Sequence, residues 1–358
     1  MARDPDAPRP PRAATAGRAP RATAPAGVVT LQQVAERAGV SPSTVSRIIN
    51  GTAIVAEAKK QAVADAIEAL GFVPNPVARG LAGGRTLSIG VVTQVIDSPF
   101  YGGALRGIED VLQLAGYSPL FVSGHWTTTD EARCIEMLRA RRVDGLILLD
   151  GRISDSAVKA LARQLPVVVT GRQIKAPGLF SLAFDNLRGA RLATEHLLAL
   201  GHRRIAFIGG DPQHPDAVAR EQGWRDAMAS AGVPVDEALR EHGGYIEEGG
   251  LRAMERLLDS GHAFSAVFAA NDQMAYGAAL ALHRRGLQVP QHISLVGFDD
   301  VATSQYTLPP LSSVRQPVVE LGRRSAEAVL DLIAGRKPTA ELSAPEMVAR
   351  ESSAALPG

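Results

Sequence analysis

Ser41-Pro42-Ser43-Thr44-Val45-Ser46-Arg47-Ile48-Ile49-Asn50 is the stretch whose reading decides this chain. Ser41 suits an N-cap, and Pro42 suits the first helical position because its missing N–H would have no partner there. The spacing predicts a helix that starts at Ser41. Val45, Ile48 and Ile49 fall at i, i+3 and i+4 as one apolar stripe, leaving Ser43, Thr44, Ser46 and Arg47 to face elsewhere. Asn50-Gly51 is expected to end it. Upstream, Thr30-Leu31-Gln32-Gln33 has the form of a capping box and predicts a helix with Leu31, Val34, Ala35 and Ala38 inward, stopping at Gly39. Two short helices joined through Gly39-Val40 make a helix-turn-helix, whose second helix offers its first turn to base edges in the major groove. A third amphipathic helix is expected at about 56–70, with Val63, Ile67 and Leu70 inward and Gly71 as its stop. Spacing alone leaves open a small helical cap with no special function.

Working outward, the 358 residues suffice for a sizeable core and more than one domain. The net charge of +1 conceals an asymmetry, because residues 1–86 carry 11 Lys and Arg against 6 Asp and Glu, or +5, and the remainder 27 against 31, or −4. The positive end is the one assigned to DNA, as phosphate binding requires. A single cysteine, Cys134, excludes an intramolecular disulfide and a cysteine zinc cluster and fits a reducing cytoplasm. No apolar run approaches the roughly 20 residues of a membrane span. The N-terminus lacks the apolar middle of a secretory signal, so a cytoplasmic protein with no membrane partner is expected.

Residues 1–27, rich in Ala, Pro, Arg and Thr, are expected to be a disordered tail, and residues 28–73 a helix-turn-helix headpiece. Residues 74–86, with prolines at one end and glycines at the other, read as a linker. From Leu87 onward, apolar β-rich runs (87–93, 120–123, 145–149, 167–170, 205–209, 266–269, 293–297) alternate with helical stretches, which predicts parallel sheets covered on both faces. The expected fold is therefore an all-α headpiece followed by an α/β core, 87–353, of two Rossmann-like halves. The first half would take 87–185 and 311–340, the second 186–310 and 341–353.

In open parallel sheets ligands bind beyond the carboxyl ends of the strands. The polar residues gather there: Asp97, Ser123, Asp150, Arg172, Asp211, Asn271-Asp272 and Asp299-Asp300. Two such ends facing each other make a cleft for a small polar molecule. Asn271 offers a donor and an acceptor, Asp299 accepts from two hydroxyls, and Arg220 supplies a rigid fork of donors, a set that suits a hydroxylated ligand. Phe100, Tyr101 and Tyr245 offer faces for a sugar ring. Each has a plainer reading: Asp299 as a loop cap, Arg220 as a surface ion pair, Phe100 as core. No G-x-S-x-G elbow, H-E-x-x-H pair, phosphate-binding loop or metal spacing occurs, so neither catalysis nor a cofactor is expected.

The stretch from Val28 to Leu81 resembles the DNA-binding headpiece of the lactose/galactose repressor family, and the similarity continues to about Ser353. Ala270-Asn271-Asp272-Gln273-Met274-Ala275 and Val296-Gly297-Phe298-Asp299-Asp300 resemble that family's sugar-contacting segments. Asp97-Ser98-Pro99-Phe100-Tyr101 resembles its galactose-repressor branch. The resemblance implies a homodimer with a periplasmic-binding-protein-like core that binds a pseudopalindromic double-stranded operator and is released by a small-molecule effector, a sugar. It implies that Arg47 contacts a guanine, with Pro42 and Ser43 at the other base-reading positions. Thr30, Ser41, Thr44, Ser46, Asn50 and Asn75 would contact phosphates, with Leu31 beside them. A hinge helix would place Ala78 and Leu81 in the minor groove. Asp97, Phe100, Tyr101, Asp150, Arg172, Arg220, Tyr245, Asn271 and Asp299 would form the effector site. The alternative is a regulator in which a non-sugar ligand such as a purine strengthens DNA binding.

Overall fold

The computed structural model describes residues 29–49, 55–73 and 85–356. The expected tail, Asn50, and the linker with Asn75, Ala78 and Leu81 lie outside the described residues. Two compact units divide between Ala82 and Gly83.

The first unit has three helices, α1 (Leu31–Ala38), α2 (Pro42–Ile49) and α3 (Glu57–Leu70). Thr30 caps α1 reciprocally: its Oγ1 accepts from the Gln33 N–H at 3.3 Å, and Gln33 Oε1 accepts from the Thr30 N–H at 2.8 Å. Gly39 closes α1 at φ 65°, where a Cβ would be strained, and turns the chain into α2. The two helices and α3 bury Val34, Ala35, Val45, Val63 and Ala66 together, with Leu31, Ile48, Ile49, Ile67 and Leu70 around them. So small an apolar centre suffices only because caps fix the ends of the helices it joins.

The second unit holds two parallel sheets in series. The first lobe contains β1 (Ser88–Thr93), α4 (Pro99–Leu114), β2 (Ser118–Ser123), α5 (Thr128–Ala140), β3 (Gly145–Leu148), α6 (Asp155–Ala162), β4 (Val167–Thr170) and β5 (Leu179–Leu182). The strands lie in the order β2-β1-β3-β4-β5. The second lobe contains α7 (Asn186–Ala199), β6 (Ile205–Gly209), α8 (Pro215–Ser230), β7 (Arg240–His242), α9 (Glu247–Asp259), β8 (Ala266–Ala269), α10 (Asp272–Arg284), β9 (Ser294–Asp299) and β10 (Ser312–Arg315). After β10 the chain re-enters the first lobe as α11 (Val318–Ile333), then returns as β11 (Glu346–Val348), which pairs antiparallel with β10. The second sheet runs β11-β10-β9-β8-β6-β7, so apart from β11 both lobes repeat one winding. In each, the strand order reverses beside the first strand, which opens a crevice at the strand ends.

Strands β3, β4, β6 and β8 are buried at every residue, because helices cover both sheet faces. These are the runs legible as unbroken apolar sequence. Residues 311–315 depart from expectation: β10, with the sequence Ser-Ser-Val-Arg, belongs to the second sheet and not to the first lobe. Its serines are buried in hydrogen bonds, Ser313 Oγ donating to Asp272 at 2.6 Å, so the strand has no apolar signature. The chain therefore changes lobes at 183–185, at 316–317 and between α11 and β11.

No helix among the described residues is long and apolar enough to cross a membrane. The first lobe is closed by α4 against α11, whose backbones approach through Gly107 and Gly322. A Cβ on Gly322 would stand 2.0 Å from the Ala104 carbonyl oxygen, and one on Gly107 2.1 Å from that of Val319. Replacing a helical glycine by alanine ordinarily stabilises by about 1 kcal/mol. Here Gly322→Ala is expected to cost about 1–3 kcal/mol through overpacking, a reversal of sign that a urea melt of the full chain reads directly.

Candidate functional site

On the first unit, the candidate site is the exposed side of α2. Ser41 Oγ accepts from the Thr44 N–H at 3.2 Å and lies 2.9 Å from Ser43 Oγ and 2.8 Å from Thr44 Oγ1, a small hydroxyl cluster at the helix start. Pro42, Ser43 and Arg47 are exposed, Thr44 and Ser46 half-buried, and Val45 faces the core. Ser43 and Arg47, four residues apart, share one face. Thr30 is committed to its capping box and Leu31 packs partly on the core.

On the second unit, the facing strand ends of the two lobes enclose a cavity of about 150 Å³. Phe100, Tyr101, Trp126 and Asp150 line it from the first lobe, and His214, Asp216, Arg220, Tyr245, Asn271 and Asp299 from the second. Its organising group is Arg220, 4% exposed on α8. Its Nε donates to Asn186 Oδ1 at 2.8 Å, its Nη1 to the Ala270 carbonyl at 2.5 Å, and its Nη2 pairs with Asp299 Oδ1 at 3.4 Å. Its guanidinium lies 4.0 Å from the centre of the Phe298 ring. Asn271 is spent locally: Oδ1 caps α10 by accepting from the Met274 N–H at 2.9 Å, and Nδ2 donates to the Tyr245 carbonyl at 3.1 Å. One N–H of that amide is left for a ligand. Asp150, held at φ 57°, accepts from Tyr101 at 3.0 Å and from Thr170 at 3.1 Å.

Two residues expected at the site stand outside it. Asp97 is exposed in the turn before α4, where the next residue, Ser98, enters the cavity in its place. Arg172 turns away to the Ile153 carbonyl at 2.6 Å and to Asp155 at 3.3 Å, at the start of α6. Conversely, the sequence reading missed Trp126, His214, Asp216 and Gln273. For two of them a signal was present: His214-Pro215-Asp216 follows β6 as Ser98-Pro99-Phe100 follows β1, a cap and a first-turn proline at a strand end. Trp126 had none, because Gln94 fixes its loop from another strand end through Oε1, which accepts the Trp126 N–H at 3.0 Å.

The lobes also touch directly across the cleft. Arg152 pairs with Asp211 and donates to Gln213 at 3.2 Å, Ser98 donates to Gln273 at 3.1 Å, and the rings of Trp126 and His214 meet edge to face at 4.8 Å. Inside, burial dominates the electrostatics. It pushes Asp216 up to about 7, with Asp150 adding to the shift and Arg220 opposing it. It raises Asp299 to about 6 against the pull of Arg220, and Asp272, behind the wall, to about 7. Burial also lowers the pKa of His214. Three buried polar atoms lining the cavity make no hydrogen bond among the described residues: His214 Nδ1, Tyr245 Oη and Asp299 Oδ1.

A carboxyl whose folded pKa exceeds its unfolded value binds protons better in the folded state, so the fold gains stability as pH falls through the folded pKa. Between pH 8 and 6.5 the ligand-free protein is expected to become more stable, by roughly 1 kcal/mol for each carboxyl raised to about 7. Below that window the buried histidines act in the opposite sense. Thermal melts across the window should show the rise, and Asp216→Asn should remove its share; a flat profile in both proteins would contradict the assignment.

The model of bacterial regulatory proteins of the lacI family matches residues 30–75, and that of the periplasmic binding protein-like domain matches residues 194–353. The HTH-type transcriptional regulator GalR of Escherichia coli (strain K12) is 38% identical over 330 residues, covering 91% of this chain and 96% of that protein. A crystal structure of the lac repressor dimer bound to operator and the anti-inducer ONPF is similar at a TM-score of 0.82 and 30% identity, covering 92% of this chain and all of that one. A complex of the regulator CelR with cellobiose is 34% identical at a TM-score of 0.68, covering 91% of this chain and all of that one. Two units of the kinds these proteins combine, in the same order and over nine-tenths of the sequence, leave one conclusion: the chain belongs to the LacI family and is a DNA-binding transcriptional regulator, not an enzyme.

Proposed function

We propose that the protein is a homodimeric, cytoplasmic repressor of carbohydrate-utilisation genes, released from its operator by a small sugar held between the lobes. The observation that carries the reading is the cleft, where two buried polar atoms, His214 Nδ1 and Tyr245 Oη, have no partner among the described residues, beside aromatic faces and an arginine paired with Asp299. Such atoms cost free energy until a ligand supplies hydroxyls, and a sugar supplies several at once. The related CelR structure holds cellobiose. A planar purine would leave this mixture of carboxylates and orphaned donors largely unmatched, so the corepressor alternative is not favoured.

In this reading Arg47 makes a bidentate contact to guanine, with Pro42 and Ser43 beside it. Ser41, Thr44, Ser46 and Thr30 set the register on phosphates. Leu31 acts by holding Thr30 in place, while Asn50, Asn75, Ala78 and Leu81 contribute from segments outside the described residues. Asp150, Tyr101 and Phe100 from one lobe, with Arg220, Tyr245, Asn271 and Asp299 from the other, hold the effector. A ligand that joins both lobes fixes their angle, and the linker passes that change to the headpiece.

Dimerisation is supported by a patch on the second lobe. Leu308 is 97% exposed, Tyr306 79% and Leu280 45%. They border a groove lined by Tyr276, His283 and Pro309, and Tyr276 ties α10 to the 302–306 turn through Ser304 at 2.7 Å. A contiguous apolar patch of this kind is the mark of an interface. Leu308→Asp is expected to give a monomer in sedimentation velocity and to weaken operator binding, since one headpiece then contacts one half-site.

Selection from random duplex DNA tests the function as a whole. It is expected to return a pseudopalindrome with half-sites about one turn, ~34 Å, apart. Arg47→Ala should cost about 1–3 kcal/mol there while leaving non-specific binding nearly intact. A sugar that releases the operator should bind the operator-bound protein more weakly by the same factor, corresponding to about 1–3 kcal/mol of coupling. No preferred site, or two independent affinities, would overturn the reading.

A further inference from the structure

The charges lining the cleft do not balance. Three carboxylates, Asp150, Asp216 and Asp299, face one guanidinium, Arg220, and His214 is held neutral by burial. Arg220 donates to Asn186 and the Ala270 carbonyl and pairs with Asp299, so its charge is matched by that one carboxylate. Asp150 accepts hydrogen bonds from Tyr101 and Thr170 and forms no ion pair among the described residues. Asp216, in the first turn of α8, accepts no hydrogen bond and forms no ion pair among the described residues, although it lines the cavity.

The walls around these carboxylates are aromatic. Tyr101, Trp126, His214 and Tyr245 surround the space, with Trp126 against His214 at 4.8 Å and His214 against Tyr245 at 6.3 Å. Ring faces carry negative potential and attract a cation that is stripped of water. His214 Nδ1, on a residue more than nine-tenths buried, makes no hydrogen bond among the described residues and points to a ligand that also brings hydroxyls. The cavity these residues line has a volume of about 150 Å³.

We propose that the cleft selects a sugar bearing a protonated amine, with Asp216 as its counter-ion and ring hydroxyls on His214, Tyr245 and Asp299. The inference rests on the cleft being the effector site. It adds that Asp216 sets specificity: the ammonium supplies the charge that the protein omits, a neutral hexose supplies only a hydroxyl at the same place, and an acidic sugar is repelled. Acetylating the amine removes the charge and adds bulk, so an N-acetyl sugar loses on both counts.

Glucosamine and galactosamine, glucose and galactose, and the two N-acetylhexosamines are titrated into the full-length protein. Binding is read by calorimetry and by the fluorescence of Trp126, the other tryptophan, Trp224, being fully buried against Phe207 as a constant background. The expected result is that a hexosamine binds at least about tenfold more tightly than its neutral parent and releases the operator at correspondingly lower concentration. In Asp216→Asn and Asp216→Ser that advantage should fall to within about twofold, while thermal melts of the ligand-free variants, the check on folding, stay cooperative. Neutral hexoses binding as tightly as hexosamines, or both classes weakened equally by the substitutions, would overturn the proposal and leave the sugar-effector reading standing. If no hexose of any class binds, both fall together.

Discussion

Everything at the cleft depends on burying one guanidinium. Arg220 is always charged, and a charge taken out of water is tolerated only if its donors are satisfied. The second lobe meets that demand by converging on it: Asn186 opens α7, Ala270 follows β8, Asp299 ends β9, and Phe298 places its ring beneath the guanidinium. Removing Asp299 alone would leave the guanidinium buried without its counter-ion, at a cost of about 3–5 kcal/mol. The arginine thus positions three strand-end segments at once, which is why the site is already shaped around a space that no side chain fills. Asp299 accepts φ 101°, a strained value for a residue with a Cβ, as part of the same arrangement.

Rigidity of this kind needs tightly packed layers behind it. In both lobes helices meet through glycines whose missing Cβ lets backbones touch; Gly277 in α10 faces the Glu247 carbonyl with 1.9 Å where its Cβ would stand, as Gly322 does in the first lobe. Helices this close behave as one block, so a change in cleft contents moves lobes and not side chains. Three chain passages join the blocks, and the Arg152–Asp211 pair, the Ser98–Gln273 hydrogen bond and the Trp126–His214 contact bridge them from the other side. A ligand adds to a set of bridges that already exists, which suits a switch whose two states differ by only a few kcal/mol.

The cleft and the headpiece also divide the electrostatic labour. The cleft gathers carboxyl groups and raises their pKa by burial. The exposed side of α2 carries the short side chains of Pro42 and Ser43 beside the one long cation of Arg47.

The amino-acid sequence by itself determined the elements whose signal is local. The capping box at Thr30, the proline start of α2, the glycine stops and the unbroken apolar strands are all set by interactions within a few residues or by burial on both faces. It also marked the strand-end positions of Asp150, Asn271 and Asp299, because parallel sheets put ligands there, and singled out Arg220 and Tyr245 by their side-chain chemistry. Only the tertiary structure decided which polar strand ends face inward. Asp97 and Arg172 carry the right chemistry and turn away; Ser98, Trp126, His214 and Asp216 are brought in by loops fixed from distant strands. Likewise β10 has no apolar pattern, since serine hydrogen bonds to Asp272 and to the C-terminal segment replace apolar burial. Orientation at a strand end and pairing of a polar strand depend on partners tens of residues away, and no local periodicity encodes them.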